Sequence, residues 1–508
     1  MTRRTFMGTT AAALGAASAH GAGRSPVPET FASASPVDTR LGVKFIYNGI
    51  IHEAAFEGSC RHGDLKGLGR EAETAALDKR FARFAKEVGA LELPPNVDIL
   101  KPVSMNLWVE KGNPEIVLET KHLKKLAADA DSADLYVVTG GGLPQYTCLR
   151  IAETYGKPVV LARTAGWGLD APAGLRRLGY EGYYESEWDG VVRLIRAMSA
   201  RKAMGRTRIL NVTNFIDQVP KGVVSSIIDL DALKSKYGVG LKFMNYDDFF
   251  RRMDAISAEK GTRAQAQELA GRLIAGADSS NMTREDMVNS LLFYLTVRRV
   301  MEETGCNAFT IECFELCSSM QPWHRRFTPC LTHALLKDEG YPSACEKDLN
   351  ALLAMLVEMV LARKAAYMGN PDIDVKENIL TLHHSDAGRR LRGLAGPDSE
   401  YGIHSFTESG FGATLRYDFN REAGEPVTVA RFDPTATRLL AARGTVIDGS
   451  GLEGYGCAQR VRIRLSDGAE FQRAQQDYGH HLAMVLGDVI AEIRDLADMM
   501  KFKAELFL

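Results

Sequence analysis

The chain has 508 residues, and at roughly 100–200 residues per domain that predicts about three domains rather than one core. Charged residues make up 25%, hydrophobic residues 45%, and the formal net charge is −2. This is the balance of a soluble globular protein with no electrostatic pull towards nucleic acid or an anionic membrane, so a small neutral ligand fits better.

Taken in chain order, Arg3 and Arg4 precede a small-residue apolar run from Phe6 to Ala19, and Ala17-Ser18-Ala19 offers an A-x-A cleavage site. This reads as a twin-arginine export signal, predicting a periplasmic protein, or a cytoplasmic one if the signal is not used. The run is shorter than the ~20 residues a spanning helix needs. With the Pro/Ser-rich stretch after it, it makes a signal and linker over residues 1–38.

Residues 39–205 predict an α/β domain. "LGVKFIYNGI" and "ADLYVVTGGG" read as buried strands, "YTCLRIAETYG" as a helix and "KPVVLARTAG" as the next strand, a parallel βαβ unit. The run Gly140-Gly141-Gly142 lacks both the G-x-G-x-x-G spacing and the GK[ST] ending of phosphate loops, and reads as a turn at a strand's carboxyl end. Residues 206–368 repeat the α/β pattern with "TRILNVTNF", "GLKFMNYDDFFRRM", the helix "EDMVNSLLFYLTVRRVMEETG", the strand "NAFTIECF" and the helix "EKDLNALLAMLVEMVLARKA". From residue 369 to 508, "ENILTLHH", "EPVTVARFD", "TRLLAARGTVI" and "AQRVRIRLS" predict a mainly antiparallel β domain, closed by a helix from about Tyr478. The expected fold is thus two doubly wound parallel-sheet domains followed by a β-rich domain.

The eight cysteines at 60, 148, 306, 313, 317, 330, 345 and 457 lack paired C-x2-C knuckles and are expected as buried thiols. Chemistry-bearing residues concentrate elsewhere: Glu346 and Asp348 ahead of an apolar helix, Asn370 and Asp372 in "YMGNPDID", His383 and His384 in "LHHSD", and His480 and His481 in "DYGHHLAMVLGD". Each set alone has an ordinary reading, since an acid in a helix's first turn is a cap and a His pair is often a satisfied polar group.

In order, "CEKDLNALLAML", "AAYMGNP", "ENILTLHHSDAG", "HSFTESGFGATL", "EPVTVARF" and "DYGHHLAMVLGD" resemble the L-fucose isomerase family and, more distantly, L-arabinose isomerases, most strongly from about Thr310 to Asp488. The resemblance implies a metal-dependent aldose–ketose isomerase, assembled as a homo-oligomer, that acts on a small sugar through an enediol. It implies Glu346 as metal ligand and proton carrier, His481 as a further ligand, and Mn2+, or Mg2+ or Co2+, as the ion. Where the family has a second acid this chain has Asn370, which can lend a carbonyl oxygen but not carry a proton. Asp372, two residues on, is the expected replacement as partner acid, with Asp348 the alternative; Asp348 otherwise caps the helix or supports the ligands. His384, Glu408 and His480 are expected to touch the sugar. Two other readings stay open: an exported carbohydrate-binding protein without turnover, suggested by Asn370, and an isomerase or epimerase of an acidic or sulfonated sugar, suggested by Arg389, Arg390 and Arg392.

Overall fold

The computed structural model describes residues 34–52, 70–109, 116–118, 120–141, 143–164, 166–215 and 228–508; the export signal, Cys60 and Gly142 lie outside these. Among the described residues no helix is long and apolar enough to cross a membrane.

The first sheet contains β1 (Leu41–His52), β2 (Val97–Val109), β3 (Ile116–Leu118), β4 (Leu135–Gly140), β5 (Val159–Ala162) and β6 (Gly182–Glu185) in the order β3-β2-β1-β4-β5-β6. All neighbours are parallel except β2 and β3. Its strands are apolar on both faces because both are covered: Leu135 and Val137 enter one core while Tyr136 and Val138 enter another. Gly140 (φ +111°) ends β4 where an added Cβ would stand 2.1 Å from the Asn48 carbonyl oxygen, so the first glycine of the run is a close-approach residue.

The second sheet is wholly parallel, in the order β11-β10-β7-β8. It uses β7 (Arg208–Val212) and β8 (Gly240–Met244); after β9 (Ser279–Ser280), which leaves for another sheet, come β10 (Ala308–Ile311) and β11 (Ser343–Ala344). Strand order reverses between β7 and β10, which opens a crevice at their carboxyl ends, the usual ligand position in such sheets.

The third unit is antiparallel. β12 (Tyr367–Asp374), β13 (Ile379–His384), β16 (Pro426–Phe432), β17 (Arg438–Ser450), β18 (Gln459–Arg464), β19 (Leu482–Leu486) and β20 (Lys503–Phe507) run in the order β16-β19-β12-β13-β18-β17-β20, and pairing of β16 with β17 closes six of them into a barrel. Strand alternation explains the inside: Leu380 and Leu382 of β13 and Val461 and Ile463 of β18 share one apolar core. β14 (Tyr401–Ser405) and β15 (Ala413–Tyr417) form a small sheet with β9. Two α/β units followed by an antiparallel β unit is the architecture the sequence predicts.

The closing helix departs from expectation. Residues after Tyr478 form β19, every residue of it buried between β12 and β16, and the helix begins only at Ile490. The apolar run "LAMVL" is bounded by Gly479 (φ +104°) and Gly487 (φ +117°), which leaves five residues, the length of a core strand and too short for a helix.

The helix Leu349–Ala362 is buried along its whole length up to Leu361. One apolar cluster joins its Leu352, Leu353 and Leu356 to Val43 and Phe45 of the first unit, Ile209 of the second and Phe432 and Val485 of the barrel. Within it, Glu358 is fully buried, and neither carboxyl oxygen has a hydrogen-bond partner. Burial alone pushes this carboxyl well above its ordinary 4.5, so the folded chain keeps a proton that the unfolded chain releases. Stability therefore falls as pH rises above about 4.5. Glu358→Gln, which has no proton to lose, is expected to gain stability relative to the parent as pH rises from about 5 to about 8. Urea unfolding at the two pH values reads this directly; a constant difference between variant and parent would mean that Glu358 is ionised in the fold.

Candidate active site

Glu346 lies just past β11, where the second sheet's crevice meets the barrel. Glu346 and Lys347 both take the left-handed conformation (φ +56° each), uncommon for residues with side chains and found where the surroundings impose it. The Lys347 backbone N–H donates to the Ile311 carbonyl at 2.9 Å, and its ammonium donates to the Phe215 carbonyl. These contacts brace the turn and set Glu346, 7% exposed, against the barrel.

Asp348 begins the helix and does two jobs. One oxygen accepts the Ala351 N–H at 2.9 Å as a helix cap; the other accepts from Arg431 Nη1 at 2.7 Å and lies 2.9 Å from His481 Nδ1. All three side chains are fully buried. Burial opposes the Asp348 charge, but the Arg431 guanidinium and the His481 imidazole outweigh it and hold the carboxyl down at about 2. Arg431 also donates to the carbonyls of Tyr478 (2.6 Å) and His481 (2.9 Å), which fixes the turn carrying the histidines. With its proton on Nδ1, His481 turns Nε2 towards Glu346, the carboxylate–histidine arrangement that orients metal-binding imidazoles.

His481 Nε2 is 3.6 Å from one Glu346 oxygen and His384 Nε2 is 3.8 Å from the other. Both distances are too long for hydrogen bonds, and neither nitrogen has a hydrogen-bond partner. His384 ends β13 and is 1% exposed; its Nδ1 faces Asp386 at 3.7 Å, and Asp386 is ion-paired with buried Lys337. Burial works against the Asp386 charge, while Lys337 and His384 bring its pKa below the ordinary value. Donor atoms of Glu346, His480 and His481 fall within 4.8 Å of one another, as do those of Cys345, Glu346 and His384.

Of the residues predicted from sequence, Glu346, His384, His480 and His481 are therefore together. Asn370 stands beside them: Gly369 pairs with Leu482, so the next position along β12 falls opposite His481, and the Asn370 amide donates to the His383 carbonyl at 3.4 Å. Asp372 is not brought in. It is exposed and paired with Thr381, roughly 6.6 Å further along β12 by strand rise, so the expectation that it replaces the second acid is corrected. Glu408 is likewise exposed, in the turn after β14, and is not among the grouped donors. Arg389, Arg390 and Arg392 are engaged with Asp338, Asp398 and Glu422, so the basic loop spends its charge internally.

Sequence reasoning missed Glu312, immediately after β10 in the same crevice. Burial first, and then the charge of Glu346, push its carboxyl up to about 7. The signal was present: "TIE" places an acid at the carboxyl end of an apolar parallel strand. Arg431 was missed because "VTVARF" reads as a plain apolar strand.

No protein-family model matches the chain. Proteins named sulfoquinovose isomerase from Priestia aryabhattai and Priestia megaterium are each 23% identical to it over 330 residues, which is 63% of this chain and 68% of theirs. A protein of the same name from Clostridium sp. (strain MSTE9) is 24% identical over 286 residues, 53% of this chain and 59% of its own. The expectation of a sugar isomerase enzyme is borne out by these relatives.

Proposed function

We propose that the chain is a metal-dependent aldose–ketose isomerase acting on a sulfonated aldose, with sulfoquinovose as the first substrate to test. The observation that supports it most is the buried Glu346 carboxylate facing two unpartnered imidazole nitrogens, one of them oriented by Asp348. The name shared by the relatives supports the substrate class.

The donors fit a divalent ion. A carboxylate and two imidazoles suit Mn2+ or Co2+, and Mg2+ less well, because imidazole favours the transition metals. When bound, such an ion would act as a Lewis acid, stabilising negative charge on the enediol oxygens. Glu346, His481 and His384 would hold it, which gives His384 a ligand's role in place of the sugar contact expected from sequence.

In this reading Glu346 removes the proton from C2 of the open-chain sugar and returns it to C1. Asn370 cannot move protons between the two oxygens. Glu312 is suited to that task, because a carboxyl near 7 both gives and takes a proton at neutral pH. The reading includes a homo-oligomer exported by the twin-arginine signal.

The test is turnover in heavy water by the Mn2+-loaded protein, with sulfoquinovose, L-fucose and L-arabinose compared. Sulfoquinovose is expected to yield its ketose with deuterium incorporated from solvent at C1, and Glu312→Gln to slow this by on the order of 100-fold. Sugar binding without any exchange of carbon-bound hydrogen in the metal-loaded protein would replace isomerisation with capture.

A further inference from the structure

His384 and His481 face different oxygens of Glu346, their rings inclined at 70° with centroids 5.7 Å apart. His481 is oriented by Asp348, which Arg431 neutralises, and the groups behind His384 are of the same three kinds. Asp386, two residues after His384, places one carboxyl oxygen 3.7 Å from His384 Nδ1, while the Lys337 ammonium donates to the other. The side chains of all three are buried to within 1%. Among the described residues, neither His384 Nδ1 nor the Asp386 oxygen facing it has a hydrogen-bond partner. Closing the gap by roughly 0.5–1 Å makes a hydrogen bond of ordinary length between these two groups.

Stability does not account for the Lys337–Asp386 pair. A fully buried ion pair gains little over apolar side chains of similar size, because both charges are stripped of water. Its geometry suits another role. Lys337 can only donate, so it engages one carboxyl oxygen and leaves the other as an acceptor aimed at the ring. An acceptor at Nδ1 keeps the imidazole proton there and leaves the Nε2 lone pair directed at Glu346. We propose that Asp386 is a positioning residue that fixes the tautomer and ring orientation of His384, with Lys337 compensating its charge. The site then carries two matched sets of imidazole, carboxylate and cation: His481, Asp348 and Arg431 on one side, His384, Asp386 and Lys337 on the other. The ligand role of His384 rests on the isomerase reading; its tautomer does not.

The test uses the full-length protein carrying isotope-labelled histidine, freed of metal by chelation and held at about pH 8.5, where an ordinary imidazole is neutral. Magic-angle-spinning NMR tells which ring nitrogen bears the proton, and the His384 signals are those lost in His384→Gln. The parent is expected to carry the proton on Nδ1. In Asp386→Asn the amide oxygen stays with Lys337 and the NH2 group faces the ring, so the proton should move to Nε2 and Mn2+ binding should weaken by roughly 10- to 100-fold. Lys337→Met/Asp386→Leu leaves no buried charge, so it is expected to fold even where the single change does not, and to lose the Nδ1 preference as well. A parent protonated on Nε2, or Nδ1 protonation kept in the double variant, would overturn the proposal. The readout needs neither bound metal nor turnover, so it fails or holds independently of the isomerase reading.

Discussion

Glu346→Gln is expected to lower isomerase turnover by about 1,000-fold or more, at the upper end of what a positioned acid–base group contributes. The amide keeps the shape of the carboxylate, and the backbone cost of its left-handed conformation is unchanged, so the fold should persist. What disappears is the group able to carry a proton and the negative charge between His384 and His481. His481→Ala should lose turnover to a similar degree by another route, because it removes an oriented donor and leaves the Asp348 oxygen without its imidazole. Turnover and bound Mn2+, measured on the same preparations and checked for native circular dichroism, distinguish the two routes. Glu346→Gln retaining turnover within tenfold of the parent would remove Glu346 from the chemistry.

Arg431→Met is expected to cost about 3–5 kcal/mol of stability, the usual penalty for leaving one member of a buried ion pair alone. The guanidinium neutralises Asp348 and holds the carbonyls of Tyr478 and His481, so the substitution strands a buried charge and loosens the turn that carries a proposed ligand. Arg431→Met/Asp348→Asn is expected to recover more than half of the loss, since Asn still accepts the Ala351 N–H and no charge remains unpaired. Chemical denaturation of the parent and both variants gives the comparison; equal destabilisation by the single and double changes would mean that packing of the arginine stem, not charge, sets the cost.

The sheets were legible where a strand's pattern reflects its cover. β1 and β4 are apolar on both faces and lie between helices, and β13 and β18 alternate because only one face enters the barrel core. The run after His481 was misread because apolar content alone does not separate a short buried strand from a helix; the glycines at 479 and 487 were the deciding feature. Glu346, His384 and His481 were readable as candidates from their order along the chain, and Asp348 as a cap or support, which the structure shows to be both. Glu312 and Arg431 were not, because their roles come from neighbours distant in sequence: Glu346 near the first, and Asp348 against the second, 83 residues away. Asp372 failed for the opposite reason, since two residues along a strand keep the face but move the side chain outwards.

The helix Leu349–Ala362 touches all three structural units and is hidden from solvent by them. A chimera that exchanged the barrel or the first α/β unit for that of a distant relative would therefore have to carry over a matching surface for this helix, because neither unit completes its own interior. The modules visible in the strand topology are not independently transplantable, and divergence in this chain is expected to be slowest along the side chains that meet that helix.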